Sequence, residues 1–104
     1  MSNTRFQKLL EMLELDPQDL FLQYVLAMEY LAMQQPVEAQ KLFKTIIATD
    51  EQYVAAYYQL GKLLEANNET EAIAIYEKGM SEAQLKGDRK TVNEFKSAID
   101  ELAY

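Results

Sequence analysis

The sequence predicts an all-α protein, an α-solenoid of about six helices stacked as antiparallel pairs. One observation is an internal repeat, because Leu26-Ala27 recurs 34 residues later as Leu60-Gly61. A second is the small number of helix breakers, 3 Gly and 2 Pro in 104 residues, which permits long helices. A third is that the stretch most like a strand, residues 53–58, leads directly into leucines at helical spacing. Helical repeats of this length bury their apolar faces only by stacking, so the pattern favours an extended binding surface over a catalytic cleft.

The first two helices are separated by an Asp-Pro pair. Helix one is expected over residues 4–15, where apolar side chains recur every three or four positions at Phe6, Leu9, Leu10 and Leu13. Pro17 ends this helix, because the residue before a proline is disfavoured in the α region. The same pair is expected to begin helix two, with Asp16 as the N-cap and Pro17 in the first helical position. Helix two then runs to about residue 33.

Helices three and four follow two polar turns. Residues 34–36 form the first turn, and Pro36 again suits the first position of a helix that covers about residues 37–48. Helix four begins near residues 51–53 and runs to residue 66, just before the Asn67-Asn68 pair.

Helices five and six have the clearest end signals. Asn68 with Glu71 three residues later resembles a capping box and begins helix five, which continues to about residue 86. Gly87 and Asp88 are a C-cap followed by an N-cap. Helix six, over residues 89–103, has one apolar and one polar side, as a terminal capping helix requires. Its apolar side consists of Val92, Phe95, Ile99 and Leu102.

Small residues recur where the paired helices must approach each other. Two antiparallel helices come within about 8 Å only when small side chains face each other across the contact. Ala27 is expected to face Ala39, and Gly61 to face Ala72. Larger residues then fill the space between neighbouring pairs, namely Tyr30, Phe43, Leu64 and Tyr76.

Composition excludes several classes of chemistry. The chain has no Cys and no His, which removes disulfides, thiolate and imidazole metal ligands and the commonest general base. Its net charge of −7 disfavours nucleic acid, because phosphate binding requires clustered Lys and Arg. The longest apolar stretches are interrupted by Gln23 and Glu29 and are too short to span a membrane. The first four residues do not resemble a signal peptide, so a cytoplasmic protein without metal or cofactor is expected.

Two patterns in register carry a family resemblance. The second copy has Tyr57-x-x-Leu60-Gly61-x-x-Leu64 followed by Ala72-x-x-x-Tyr76, and the first has Leu26-Ala27-x-x-Tyr30 followed by Ala39-x-x-x-Phe43. These patterns resemble the tetratricopeptide repeat (TPR) family over residues 4–86, although Gln23 stands where the family usually has an aromatic residue. The resemblance implies one domain, 1–104, with four parts. These are a half-repeat helix (4–15), repeat 1 (20–50), repeat 2 (54–86) and a capping helix (89–103).

The resemblance also implies a groove lined by the first helix of each repeat. The candidate binding residues are Phe21, Tyr24, Met28 and Leu31 on helix two and Ala55, Tyr58, Gln59, Lys62 and Glu65 on helix four. Some TPR proteins hold a chaperone's terminal carboxylate with Lys, Arg and Asn, but the matching positions here are Tyr24, Met28 and Gln59. A hydrophobic peptide or helix therefore suits the groove better. Because helix two is apolar nearly all round, Tyr24 and Met28 belong either to the core or to the groove, whereas Tyr58 and Lys62 are expected to be exposed.

The sequence therefore predicts non-catalytic protein–protein interaction through this groove. No Gly-rich phosphate loop or catalytic constellation accompanies it. The alternative is a structural homo-oligomer, most simply a homodimer, that uses the same apolar stripe for self-association. An accessory domain of an enzyme would need a ligand that no motif here indicates. Whether helix six caps the stack or covers the groove stays open.

Overall fold

The computed structural model describes residues 4–103, which form six helices and no strand. The helices are α1 (Thr4–Leu15), α2 (Leu20–Ala32), α3 (Pro36–Thr49), α4 (Val54–Leu64), α5 (Glu69–Leu85) and α6 (Arg89–Ala103). The predicted all-α class and the number of helices are confirmed for this part of the chain. The predicted domain, 1–104, and the expectation about the first four residues include residues 1–3 and 104, which lie outside it.

Each helix packs mainly on the next one along the chain, which gives an elongated stack of 42 × 28 × 21 Å. Two clusters of buried side chains hold it together. The first lies among α2, α3 and α4 and includes Phe43, Ile46 and Leu60, and the second joins α4, α5 and α6 around Tyr76 and Phe95. Helix α6 therefore continues the stack by packing its apolar face against α5.

The predicted start of α2 is wrong by a few residues. Asp19, not Asp16, is its N-cap, and the Leu22 N–H donates to Asp19 Oδ1 at 3.0 Å. The Asp16 N–H instead donates to the carbonyl of Met12 at 3.1 Å, which continues the hydrogen bonding of α1. Pro17 consequently lies in the turn rather than in the first turn of α2.

The starts of α3 and α5 agree with their sequence signals. Pro36 is the first residue of α3. Asn68 caps α5, because its Oδ1 accepts the Glu71 N–H at 3.0 Å and its Nδ2 lies 3.3 Å from Glu71 Oε2. Helix α4 is shorter than expected, since the N–H groups of Asn67 and Asn68 both donate to the carbonyl of Leu64 and close the helix there.

The turn into α6 also agrees with its signals. Gly87 has φ +72°, a value that glycine adopts without steric cost. Asp88 Oδ1 then accepts the Thr91 N–H at 3.1 Å and caps α6. The Thr91 hydroxyl also donates to Asp88 Oδ2 at 2.6 Å, and this bond together with the one from the Thr91 N–H keeps the pKa of the Asp88 carboxyl below its usual value.

Two glycines lie where a side chain of a neighbouring helix comes very close. A Cβ placed on Gly61 would lie 2.6 Å from Cδ1 of Tyr76, so this glycine makes room for the Tyr76 ring. Gly79, which the sequence analysis did not single out, lies between α4 and α6. A Cβ there would be 2.6 Å from both Phe95 Cζ and Tyr57 Cβ. Both glycines are thus required by aromatic rings packed against their helices.

Candidate binding groove

A cleft of about 360 Å³ opens between α2, α4 and α6, and we call it the groove. Helix α2 contributes Tyr24, and α4 contributes Ala55, Tyr58 and Gln59. The structure thus brings four of the nine predicted site residues to one cleft. The other five lie outside its lining: Phe21, Met28 and Leu31 are on α2, Lys62 is on α4, and Glu65 is the C-cap of α4.

Exposed apolar side chains continue the groove along α2. Phe21 and Met28 lie three residues before and four residues after Tyr24, which places all three on one helix face. Phe21 is 65% exposed and Met28 is 37% exposed. Of the two interpretations left open for Met28, the structure favours the surface one. Leu31 is half-buried against the first cluster.

Tyr24 belongs to both the core and the groove. Its ring lies 5.7 Å from that of Phe43 in an edge-to-face arrangement and 5.6 Å from that of Tyr53. Part of the ring remains accessible, because Tyr24 is half-buried and lines the cleft. A substitution here would therefore change packing as well as the surface.

Tyr58 is less exposed than the sequence analysis expected. Its ring centroid lies 5.7 Å from that of Phe95 on α6 and 5.9 Å from that of Tyr76 on α5. The Lys62 ammonium lies 5.5 Å from the centre of the same ring, within reach of a cation–π interaction. Lys62 itself is exposed, as expected. The difference at Tyr58 arises because α6 packs beside it, and the sequence could not place α6.

Glu65 is a structural residue rather than a free charge. Its Oε2 accepts a 2.5 Å hydrogen bond from the Tyr76 hydroxyl and lies 3.6 Å from Lys62 Nζ. Burial raises the pKa of the Tyr76 phenol above its ordinary value, and the hydrogen bond to Glu65 raises it further. The negative charge of Glu65 and the positive charge of Lys62 thus largely cancel at this end of α4.

The third wall of the groove was not predicted. It comes from Thr91, Glu94 and Phe95 on α6. The turn that leads into α6 is held by Lys86, whose Nζ donates to the carbonyl oxygen of Gln52 at 2.5 Å. The amphipathic pattern of α6 predicted a buried face but not its location. In the structure α6 packs on α5, and its N-terminal half borders the groove.

Residues 4–103 offer neither a cluster of side chains for a metal ion nor a helix that could span a membrane. These residues contain no group of three or more His, Cys, Asp or Glu side chains placed to hold a metal ion. Across the same range, none of the helices has the length and apolar character needed to cross a bilayer.

Helix pairs stacked in sequence order around a shared groove define a helical-repeat protein. The chain is similar to a tetratricopeptide repeat domain protein from Salinibacter ruber, whose crystal structure superposes with a TM-score of 0.79 at 34% identity over 83% of this chain and 97% of that one. A solution structure of a tetratricopeptide repeat domain protein from the same organism gives 0.77 at 38% identity, over 84% and 89% of the two chains. A Bordetella parapertussis protein gives 0.83 at 26% identity, over 99% and 90%.

The chain belongs to the tetratricopeptide repeat family, as its two sequence patterns predicted. No protein-family model and no curated protein matches it. A fold of this kind typically serves as a non-catalytic scaffold for protein interaction, and the chain is a helical-repeat interaction module in this general sense.

Proposed function

We propose that the protein binds an apolar peptide or helix of a partner protein through the groove and the adjoining face of α2, without catalysis. The observation that carries this proposal is the exposure of Phe21 and Met28 on the helix face that also presents Tyr24. Aromatic and methionine side chains supply much of the binding energy at protein interfaces and adapt to the shape of a partner. Burial of their apolar surface contributes about 25 cal/mol per Å².

The groove favours a partner that is apolar at one end and polar at the other. The repeat 1 side presents Phe21 and Met28, whereas the matching positions in repeat 2 are Ala55 and Lys62. A segment that lies across both helices would place its apolar side chains on α2 and its polar ones near α4. Nucleic acid remains disfavoured by the net charge of −7, and a cytoplasmic location without cofactor remains part of the proposal.

The test is selection of peptide ligands for the full chain from a display library, followed by titration of the best peptide against variants. Phe21→Glu should weaken binding at least 10-fold, because it places a charge among the apolar contacts. Val37→Glu is the matched control, since Val37 is 64% exposed against 65% for Phe21 but lies on α3 outside the groove. Equal affinities for the two variants would contradict the proposal. Tyr24 and Tyr58 are unsuitable for this test because both pack against buried rings.

The second candidate is a structural homo-oligomer that buries the same face against another copy. The exposed Phe21 and Met28 favour it as well, because an exposed apolar patch suits a second copy of the chain as well as another protein. Sedimentation of the full chain across a concentration range separates the two. A dimer that Met28→Glu disrupts supports self-association through this face, and a dimer that survives the substitution contradicts it.

A further inference from the structure

Helix α1 carries a second exposed stripe, beside its buried Leu9. The stripe consists of Arg5, Lys8, Met12 and Leu15, at spacings of three and four residues. Met12 is 48% exposed and Leu15 is 89% exposed. A shallow depression of about 410 Å³ along the stripe is lined only by residues of α1 itself, so no other described helix covers it. The N-terminal end of the stack therefore presents large apolar side chains to solvent.

The C-terminal end of the stack is different. Helix α6 buries its apolar residues, and its outward positions are polar, among them Lys90, Asn93 and Ser97. Solenoids need such a polar face on each terminal helix to remain separate. The outer face of α6 is thus polar, whereas that of α1 is partly apolar.

The charges of α1 are arranged against its own helix dipole. Arg5 and Lys8 lie in its first half, whereas Glu11, Glu14 and the following Asp16 lie in its second half or just beyond. A helix alone favours acidic residues near its N-terminus and basic residues near its C-terminus. Helix α5 follows that preference, with Glu69 and Glu71 in its first turn. The reversed order in α1 is unfavourable for the helix itself, and the ion pair of Arg5 with Glu29 of α2 offsets only part of it, so the remainder needs another reason.

An antiparallel second copy of α1 supplies that reason. A two-fold axis at the middle of the helix brings the basic half of each copy against the acidic half of the other. Lys8 then faces Glu11 of the other copy, and Arg5 faces Asp16. The aliphatic parts of both basic side chains cover Met12 and Leu15.

We propose that two copies of the chain associate through the outer stripes of α1, in an antiparallel two-fold pair that is separate from the groove. Arg5 also lies 3.8 Å from Glu29 of its own chain, whose side chain is 10% exposed, whereas the Arg5 side chain is 77% exposed and so also reaches a carboxylate of a second copy. The 12 residues of α1 span about 18 Å, which makes a small interface of the weak, transient class. This inference does not depend on the proposed function of the groove.

The test exchanges the charges and measures the dimer by sedimentation equilibrium of the full chain from 10 μM to 1 mM. The double variant Arg5→Glu/Lys8→Glu should weaken dimerisation at least 10-fold, and so should Glu11→Lys/Asp16→Lys. Combining all four substitutions restores opposite charges between copies and should return the dissociation constant to within about threefold of the original.

Two single variants fix the location of the interface. Leu15→Glu should abolish the dimer and leave both the circular dichroism spectrum and peptide binding in the groove unchanged, because Leu15 is almost fully exposed. Val37→Glu, at another exposed apolar position, should leave the dimer intact. A chain that remains monomeric at 1 mM overturns the proposal. So does a four-residue exchange that fails to restore the dimer, or a dimer disrupted by Met28→Glu but not by Leu15→Glu.

Discussion

Two equivalent turns in the protein are tied to the following helix by different side chains. Before α2, Gln23 Nε2 donates to the carbonyl oxygen of Pro17 at 2.9 Å. Before α4, the Tyr57 hydroxyl donates to the carbonyl oxygen of Glu51 at 2.8 Å. Both donors reach back six residues, and the two pairs are related by the 34-residue repeat. Repeat 1 thus has the same hydrogen bond from helix to turn, which we call the tether, but without an aromatic ring.

The difference between Gln23 and Tyr57 affects how the two repeats pack. Tyr57 fills the second cluster with its ring, whereas Gln23 leaves Oε1 as the buried side-chain polar atom without a hydrogen-bond partner among residues 4–103. At the groove the balance reverses, because repeat 1 exposes Phe21 where repeat 2 has the small Ala55. At these matched positions, repeat 2 has its aromatic ring in the core, at Tyr57, and repeat 1 has its aromatic ring on the surface, at Phe21. We therefore expect packing changes to be most damaging in repeat 2 and binding changes to be most damaging in repeat 1.

The largest effect is expected at Gly61, where repeat 1 has Ala27. Gly61→Leu should lower the free energy of unfolding by about 3 kcal/mol, because its side chain would overlap the Tyr76 ring. Ala27→Gly should cost only about 1 kcal/mol, the usual penalty for glycine within a helix. Urea denaturation followed by circular dichroism measures both values. An unchanged midpoint for Gly61→Leu would contradict the close approach of α4 and α5 at this point.

Local signals explain what could be predicted from the sequence. Asn68 and Gly87 mark helix ends by hydrogen bonding and backbone conformation within a few residues, so the sequence alone was sufficient. The start of α2 was not predictable in this way, because Asp16 and Asp19 are both good caps and only the hydrogen bonding of the folded turn selects one. From the sequence alone, Gly79 would only weaken its helix, and its role becomes clear only from the packing of Phe95 against it.

The candidate site shows the same limit. Periodicity placed Tyr24 and Tyr58 on the correct helix faces, but their exposure depends on rings from distant parts of the chain, Tyr53 and Phe95. The contribution of α6 to the groove depends on where that helix packs, which no local pattern encodes.

A pH titration compares Tyr76 with Phe43, its counterpart in repeat 1. The raised pKa of buried Tyr76 means that the unfolded chain loses this proton near pH 10.0 while the folded chain keeps it. Stability is therefore fully present below pH 10 and should fall by about 1.4 kcal/mol per pH unit above it from this group. Tyr53 and Tyr57 add to the fall in the same direction. Urea denaturation from pH 8 to 11.5 should show a shallower slope for Tyr76→Phe, and an identical slope would count against the assignment.

The two tethers can be compared directly by removing each hydrogen bond. Tyr57→Phe should cost about 1 kcal/mol, since it deletes the bond to Glu51 and keeps the ring. Gln23→Met should change stability by less than about 0.5 kcal/mol, because removing the unpaired Oε1 offsets the lost bond to Pro17. Thermal unfolding of both variants provides the values. Equal losses of stability in the two variants would show that the unpaired Gln23 Oε1 does not destabilise the folded protein.

A small effect is also expected at the turn after α2. Gln34 has φ +60°, whereas no residue of the matching turn after α4 has a positive φ. Gln34→Gly should stabilise the protein by about 0.5–1 kcal/mol, because glycine adopts this conformation without strain. Gly87→Ala is the reverse control and should destabilise the protein by a similar amount. The methyl group would meet no other atom, so the cost would come only from the positive φ of residue 87. Differential scanning calorimetry resolves changes of this size, and a lower melting temperature for Gln34→Gly would refute the explanation.

The central claim, that the groove and the α2 face form the binding surface, is tested most directly by NMR. The full chain labelled with ¹⁵N would be titrated with the selected peptide while amide chemical shifts are followed. We predict the largest shifts along α2 around Phe21 and Met28, in α4 around Tyr58, and in the first half of α6. Shifts concentrated on the exposed faces of α3 and α5 would contradict this account.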